Sequence, residues 1–305
     1  MALLSWCMTA NNSAMRPMPI AVGNGTLLAL LGVISFSFSF PATAWALTGF
    51  GPWTATGLRG LIAGLLAACC LLAARVPLPP RSDWPGLLTV AGGCVLGFPL
   101  LTTLALRTST TGHSAVVIGA LPLATAVISA RLTGRRPSRK FWTAAVLGAA
   151  AVLAFTLEQS DGRPTLADGY LFAALLVCAA GYAQGGRLAS HMPGWQVIAW
   201  GILAALPVSV LVTALALPTE PMHLTAKAIT GLAYVAAISQ FGGFVAWYRG
   251  MAAIGVPKAS QLQLAQPLIT LLWSVSLLGE HLSPLAPVTA LIVLACIATT
   301  QRART

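Results

Sequence analysis

Long apolar stretches separated by short polar connections make up most of this chain. A helix needs about 20 apolar residues to cross the hydrocarbon core of a bilayer. Ten stretches approach that length, and they lack the polar and apolar alternation of a membrane-spanning strand, so the pattern predicts helices. We place these helices near residues 25-47, 53-74, 84-106, 111-132, 141-158, 168-188, 195-217, 228-249, 256-279 and 284-301.

The fourth and ninth of these helices are copies of one sequence. When residues 113-138 are aligned with residues 258-283, eight positions are identical: Ala120/Ala265, Pro122/Pro267, Leu123/Leu268, Thr125/Thr270, Ser129/Ser274, Leu132/Leu277, Gly134/Gly279 and Ser138/Ser283. The chain is therefore predicted to contain a duplicated unit. The first five-helix repeat would cover residues 25-160 and the second residues 161-301, between a flexible tail (1-24) and a short carboxy-terminal tail (302-305).

An odd number of helices in each repeat determines how the two copies lie in the membrane. After five crossings the chain enters the second repeat from the opposite face, so the repeats are inverted. The predicted fold is an all-α polytopic membrane protein of ten transmembrane helices in two inverted five-helix repeats. Many secondary transporters have this architecture, with the binding site near the midplane between the repeats.

Composition supports a membrane environment. The chain has 305 residues, of which 57% are hydrophobic and 8% charged, with a mean hydropathy of +0.83. Soluble proteins carry about 25% charged residues, so most of this surface must face lipid. The net charge of +11 lies in short loops, which favours membrane orientation over nucleic-acid binding. The six cysteines show no metal-ligand spacing, and we expect neither a metal nor a cofactor.

The positive charges predict the orientation. If both termini are cytoplasmic, thirteen of the 17 lysines and arginines lie on the cytoplasmic side and three outside, as the positive-inside rule requires. The repeat ends fit this arrangement. Helix 4 ends in Gly134-Arg135-Arg136 and would reach the cytoplasm, whereas helix 9 ends in Gly279-Glu280-His281 and would reach the outside.

The ordered motifs of both halves resemble a known family. They are Leu27-Leu28-Ala29-Leu30-Leu31-Gly32, Pro52 followed by Arg59, Leu121-Pro122-Leu123, Tyr170-Leu171-Phe172-Ala173-Ala174-Leu175-Leu176, Gln266-Pro267-Leu268 and Leu278-Gly279-Glu280. Over residues 25 to 300 the chain resembles the EamA branch of the drug/metabolite transporter superfamily, and within it the amino-acid exporters of the YddG type. The resemblance implies a ten-helix carrier of the bacterial cytoplasmic (inner) membrane. That family often has the glutamate in both halves, so Arg135 in the first half favours a capping and topological role for Glu280.

Candidate binding residues form a polar stripe on helix 9. Ser260, Gln263, Gln266 and Thr270 are spaced three or four apart and share one helical face. Polar side chains are unfavourable in a membrane unless they have partners or line water, so this face is expected to border a cavity. The alternative is that the glutamines hydrogen-bond neighbouring helices without binding a solute.

Other helices carry side chains that could complete a binding site with the polar stripe of helix 9. Tyr182, Gln240, Trp247 and Ser39 would suit a small amphipathic solute, although Trp247 and Tyr248 could equally form an interfacial aromatic belt. Pro122 and Pro267 are predicted hinges, because each deprives the carbonyl four residues earlier, of Ile118 or Gln263, of its helical donor. A proline kink without any binding role is the alternative.

Charged side chains are scarce in the middle of the predicted membrane helices. Arg59 is the one clear case, and it could face the interior, extend along the helix to the outer interface or pair with a loop carbonyl. No carboxylate is predicted near the midplane, so a proton relay through buried acids has no candidate. His113 is expected at the mouth of helix 4, where it would lie in a loop.

Several classes of function fit this sequence, and a channel or a structural role is a minor one among them. The favoured one is a carrier that exports small neutral or zwitterionic metabolites, above all amino acids, by alternating access. A carrier for drugs, nucleosides or sugar phosphates is the alternative, and an intramembrane enzyme is disfavoured because the histidines are scattered in loops.

Gly-x-x-x-Gly pairs at Gly60/Gly64, Gly93/Gly97 and Gly181/Gly185 predict close helix packing. They are compatible with a monomer or a homodimer.

Overall fold

The structure is a computed structural model that describes residues 22–134, 138–159, 165–263, 265–281 and 284–302. Over these residues the secondary structure is helical, apart from one isolated bridge between Phe50 and Met222. The helices are α1 (Val22–Ser37 and Ser39–Ala46), α2 (Pro52–Ala73), α3 (Trp84–Val90, Ala91–Gly97 and Phe98–Ala105), α4 (Thr111–Ile118 and Leu121–Thr133), α5 (Arg139–Gln159), α6 (Leu166–Leu188), α7 (Gly194–Ala216), α8 (Ala226–Ala233, Tyr234–Gly243 and Phe244–Ile254), α9 (Val256–Leu262 and Ala265–Leu278) and α10 (Leu285–Arg302).

These helices confirm the predicted fold class. Each predicted span overlaps one of them. In the described part of the chain, seven helices are long and apolar enough to cross a membrane, namely α1 to α4 and α6 to α8. The second segment of α9 and the first part of α10 are shorter apolar helices. The division into tails and repeats at residues 24, 160 and 301 stays a prediction.

The third helix of each repeat has a wide π-helical middle. In α3 this part is Ala91–Gly97, and in α8 it is Tyr234–Gly243. Such turns are rare, well under 1% of residues in proteins, and they occur often at functional sites. Both of these segments border the centre of the protein.

The fourth helix of each repeat is broken in two. In α4 the break follows Ile118, and Pro122 lies at the start of the next segment, where a missing N–H is tolerated. In α9 the break follows Leu262, and the carbonyl of Gln263 accepts a hydrogen bond from the Gln266 N–H at 3.0 Å. The prediction that Pro267 frees this carbonyl is therefore wrong, because the chain turns there instead of continuing as one helix.

Hydrogen bonds at the helix ends define two faces of the molecule. One set joins Phe50 with Met222, Trp53 with Glu220, Thr111 with Glu280, and His113 with Asp168. We call this end of the bundle the distal face. Asp83 bonds His191 at the other end, where Gly25 packs on Ala253, and this end is the proximal face.

This arrangement shows that the repeats are inverted. Because α4 begins at Thr111 on the distal face, its end at Gly134 lies on the proximal face. The equivalent Gly279 ends α9 beside Glu280, on the distal face. Both glycines adopt the left-handed conformation, with φ of +69° and +66°, so the two copies match locally while pointing in opposite directions. Arg135 and Arg136 lie outside the described residues.

Helix packing follows the same two-fold relationship. The pairs α2–α7, α4–α9 and α5–α10 each join equivalent helices, and the α1–α8 pair has its counterpart in α3–α6. The glycine pairs lie at contacts between helices of the same chain: Gly60 and Gly64 pack against α7, and Gly93 packs on the Val177 carbonyl of α6. Packing within one chain therefore accounts for these small residues.

Candidate functional site

A narrow cavity lies between the two repeats, with about 20 Å³ of space for the centre of a water-sized molecule. Its lining comes from α1, α2, α3, α4, α6, α8 and α9: Phe36, Ser39, Phe40, Thr43, Arg59, Cys94, Phe98, Thr102, Leu121, Tyr182, Ser239, Phe244 and Gln266. A smaller cavity, with about 10 Å³ of such space, adjoins it and shares Leu121 and Gln266. A space of this size holds about one water molecule, so the first cavity, which we call the central cavity, is nearly closed in this structure. It is the candidate site because side chains of both repeats meet there.

Arg59 is the one charged side chain among the described residues that line the central cavity. It is 6% exposed and lies seven residues into α2, about 10 Å along the helix from Pro52. Its Nε donates to Gln240 Oε1 at 2.7 Å, and its Nη2 donates to Ser239 Oγ at 3.4 Å. The alternative that Arg59 extends to the outer interface is wrong, because the side chain is held inside the protein by α8.

The polar stripe of α9 reaches this region. Gln263 Nε2 donates to the Tyr182 hydroxyl at 3.2 Å and to Gln266 Oε1 at 3.4 Å. The other amide atom, Gln263 Oε1, is buried without a partner among the described residues. Which amide atom is oxygen is an assignment, but either assignment leaves one atom of a buried amide unsatisfied next to the cavities.

Two hydroxyl contacts join the repeats along α1. Ser39 and Ser239 lie 2.6 Å apart through their Oγ atoms, and both line the central cavity. Thr270 donates to the Ser37 carbonyl at 2.8 Å and lines the smaller cavity, together with Gln263, Pro122 and Pro267. Thr270 therefore also holds α9 against α1.

Three predicted residues are buried but line neither cavity. Gln240 holds Arg59, and its Nε2 donates to the Cys94 carbonyl at 3.3 Å. Trp247 is fully buried against Phe36 and Tyr182, and Ser260 is buried without a partner among the described residues. None of the three is among the described residues that line either cavity.

The belt interpretation of Trp247 and Tyr248 is wrong. Both rings are 0% exposed, because α8 runs on to Ile254 and not to residue 249 as predicted. The additional residues move Trp247 away from the helix end and into an aromatic cluster. In this cluster Phe36 packs on Tyr182, Phe244 and Trp247, which gives one wall of the central cavity its aromatic character.

Carboxylates close the distal face above these cavities. Glu280 accepts from the N–H groups of Thr111 and Gly112, both at 2.8 Å, so α9 caps the start of α4. Asp168 bonds His113 at 2.7 Å and closes a capping box with Thr165 at the start of α6. His113 therefore belongs to the first turn of α4 and pairs with an acid, rather than lying in a loop.

Sequence reasoning left Ser239, Thr43 and Thr102 out of the site. Ser239 adjoins the predicted Gln240 in the sequence, but only the structure shows that both side chains bond Arg59 from the π-helical segment of α8. The hydroxyls of Thr43 and Thr102 bond carbonyls of their own helices, so only the three-dimensional packing shows that they face the cavity.

Comparisons with known proteins agree with this architecture. The chain is 40% identical over 279 residues to a Bacillus subtilis (strain 168) protein named "Uncharacterized transporter YdeK", covering 92% of this chain and 97% of the relative. A solved crystal structure, described only as that of a protein, superposes with a TM-score of 0.67 at 21% identity and covers 91% of this chain and 98% of its own. The model of the EamA-like transporter family matches residues 23–157 and again residues 165–300. This two-repeat chain, with its cavity between the repeats, therefore belongs to the EamA-like transporter family of integral membrane transporters.

Proposed function

We propose that this protein exports small metabolites, chiefly amino acids with apolar or aromatic side chains, by alternating access. The supporting observation is the central cavity, whose described walls come from both repeats and combine the Gln266 amide, several hydroxyls and the Arg59 guanidinium with aromatic rings. Such a site suits an amphipathic solute, since polar groups fix its orientation while the rings bury its side chain. One chain supplies the whole site, so a monomer is a sufficient transport unit.

We further propose that the protein lies in the bacterial cytoplasmic membrane with both termini in the cytoplasm. Under this orientation the distal face is external. Three of its carboxylates then serve as caps and pairs outside, while most lysines and arginines remain inside. Rocking of the two repeats would expose the central cavity to each side in turn.

The α9 stripe has a direct transport test. Purified protein in liposomes would be screened by counterflow with labelled amino acids, nucleosides and a sugar phosphate. We expect exchange of apolar amino acids, and a decrease of about fivefold or more in Gln263→Ala and Gln266→Ala, because a buried hydrogen-bonding group contributes about 1 kcal/mol.

Gln184→Ala is the matched control, since Gln184 bonds Arg187 in an exposed contact and belongs to the lining of neither cavity. Unchanged exchange in both α9 variants would remove α9 from the binding site. Exchange of the nucleoside or the sugar phosphate alone would reassign the substrate class.

A further inference from the structure

We infer that Arg59 binds a carboxylate group of the transported solute. The substrate class is then a small carboxylate with an apolar body, for which an amino group is not required. This inference rests on the proposed function, because it takes the central cavity as the solute site. It narrows that function by saying which end of the solute is recognised and which end is not.

The first argument is that none of the described carboxylates pairs with Arg59. The chain has six acidic residues, and the structure describes the side chains of four. All four are engaged at the two faces: Asp83 with His191, Asp168 with His113, Glu220 with the start of α2, and Glu280 with the start of α4. A cation buried without a counter-charge is unfavourable, so an anion that enters the cavity gains from pairing with it.

The second argument is the way the guanidinium is held. Gln240 and Ser239 accept from Nε and Nη2, and both are neutral groups. They fix the orientation of the side chain without cancelling its charge, and the described residues offer no partner to Nη1. Arg59 lines the cavity, and a planar guanidinium fork matches a carboxylate geometrically.

The rest of the lining defines the remainder of the solute. Phe36, Phe40, Phe98 and Phe244 provide apolar wall, and no carboxylate is among the described residues that line the cavity. An ammonium group would therefore meet only hydroxyls, amides and rings, and it would add little to the recognition of the anionic end. A single cation also favours a singly charged carboxylate over a phosphate.

Binding to the unmodified protein tests this selection. Affinities of purified protein would be measured by calorimetry for 3-phenylpropionate, phenylalanine, phenylalaninamide, phenethylamine and phenyl phosphate. We expect the two carboxylates to bind at least about tenfold more tightly than the amide and the amine, a difference of about 1.4 kcal/mol. Equal affinity for phenethylamine or phenylalaninamide would overturn the inference, as would tighter binding of phenyl phosphate.

Variants at Arg59 give a second measurement. In Arg59→Gln the preference for 3-phenylpropionate over phenethylamine should collapse to about twofold or less, and Arg59→Lys should retain part of it. Arg187→Gln removes an exposed arginine outside the cavity lining and should leave the preference unchanged. A preference that persists in Arg59→Gln contradicts the inference. If that variant does not fold, the affinities of the unmodified protein for the five ligands decide.

Failure of the proposed function has a different signature. If counterflow shows no exchange of amino acids while 3-phenylpropionate still binds selectively, the export proposal fails and the role of Arg59 stands. If amino acids exchange but amines compete equally well, the export proposal stands and Arg59 has no part in selection.

Discussion

At the scale of single residues, close backbone approach explains why certain positions are glycine. Gly93 in the π-helical part of α3 packs directly on the Val177 carbonyl of α6, and an added Cβ would also lie 3.1 Å from the Val177 carbonyl carbon. Its neighbour Gly92 is exposed and has nothing within 4 Å of an added Cβ. The two adjacent glycines therefore differ in packing while sharing a backbone conformation.

This difference predicts unequal effects of the same substitution. Gly93→Ala should destabilise the protein by about 1–3 kcal/mol, because the methyl group forces α3 and α6 apart. Gly92→Ala is the matched control and should be neutral or slightly stabilising. Thermal unfolding in detergent measures both variants, and equal melting temperatures for the two would contradict the packing shown here.

The site residues show what sequence can and cannot predict at this scale. Gln263, Gln266 and Thr270 were found because polar residues at helical spacing are conspicuous in an apolar segment, and they do border the cavities. Arg59 was ambiguous, since a sequence does not say towards which neighbour α2 is rotated. Only its bonds to Gln240 and Ser239 settle the direction of the side chain.

At the scale of elements, α4 and α9 share features that suit movement, and their role as hinges stays a prediction. Each is broken next to a proline, each borders the smaller cavity, and they pack against each other. The sequence repeat predicted this equivalence, but it could not predict the breaks in the helices. Glu280 ties the end of α9 to the beginning of α4, which makes it a latch on the distal face.

Removing the charge of this latch should open the distal side. A carboxylate stabilises a helix N-terminus through its charge and through charge-assisted hydrogen bonds, and Glu280→Gln keeps the size of the side chain while losing the charge. The test uses a chain in which Cys94 is the sole cysteine. There we expect Glu280→Gln to raise the rate at which a small membrane-impermeant thiosulfonate modifies Cys94 by about threefold or more, because the closed distal side loses roughly 1 kcal/mol of stabilisation.

Asp83→Asn is the comparison for this experiment. It removes a carboxylate charge from the opposite, proximal face, where Asp83 pairs with His191. Modification of Cys94 from the distal side should not change in this variant. An equal increase in both variants would point to general loosening of the bundle and against a latch at Glu280.

At the scale of the whole molecule, the inverted repeat explains why equivalent positions carry different charges. The end of α4 and the end of α9 have the same left-handed glycine, but they lie at opposite faces. One end is followed by two arginines in the sequence and the other by Glu280, as the positive-inside rule requires if the proximal face is cytoplasmic. Two signals were enough to predict this fold: the repeat indicates that the halves are copies, and the opposite charges at equivalent ends indicate an odd number of crossings between them.

The orientation of the repeats leads to the last prediction. Ser138→Cys, just after the end of α4, and His281→Cys, just after the end of α9, would be introduced singly into a chain without other cysteines. In intact spheroplasts a membrane-impermeant maleimide should label His281→Cys directly, but label Ser138→Cys only after permeabilisation, because five crossings separate the two positions. Neither change removes a lysine or an arginine, so the positive-inside bias that sets the orientation is kept. Labelling of both positions from the same side would contradict the inverted architecture. Labelling of Ser138→Cys alone in intact spheroplasts would preserve the architecture and reverse the proposed orientation, in which case the latch at Glu280 would close the cytoplasmic side.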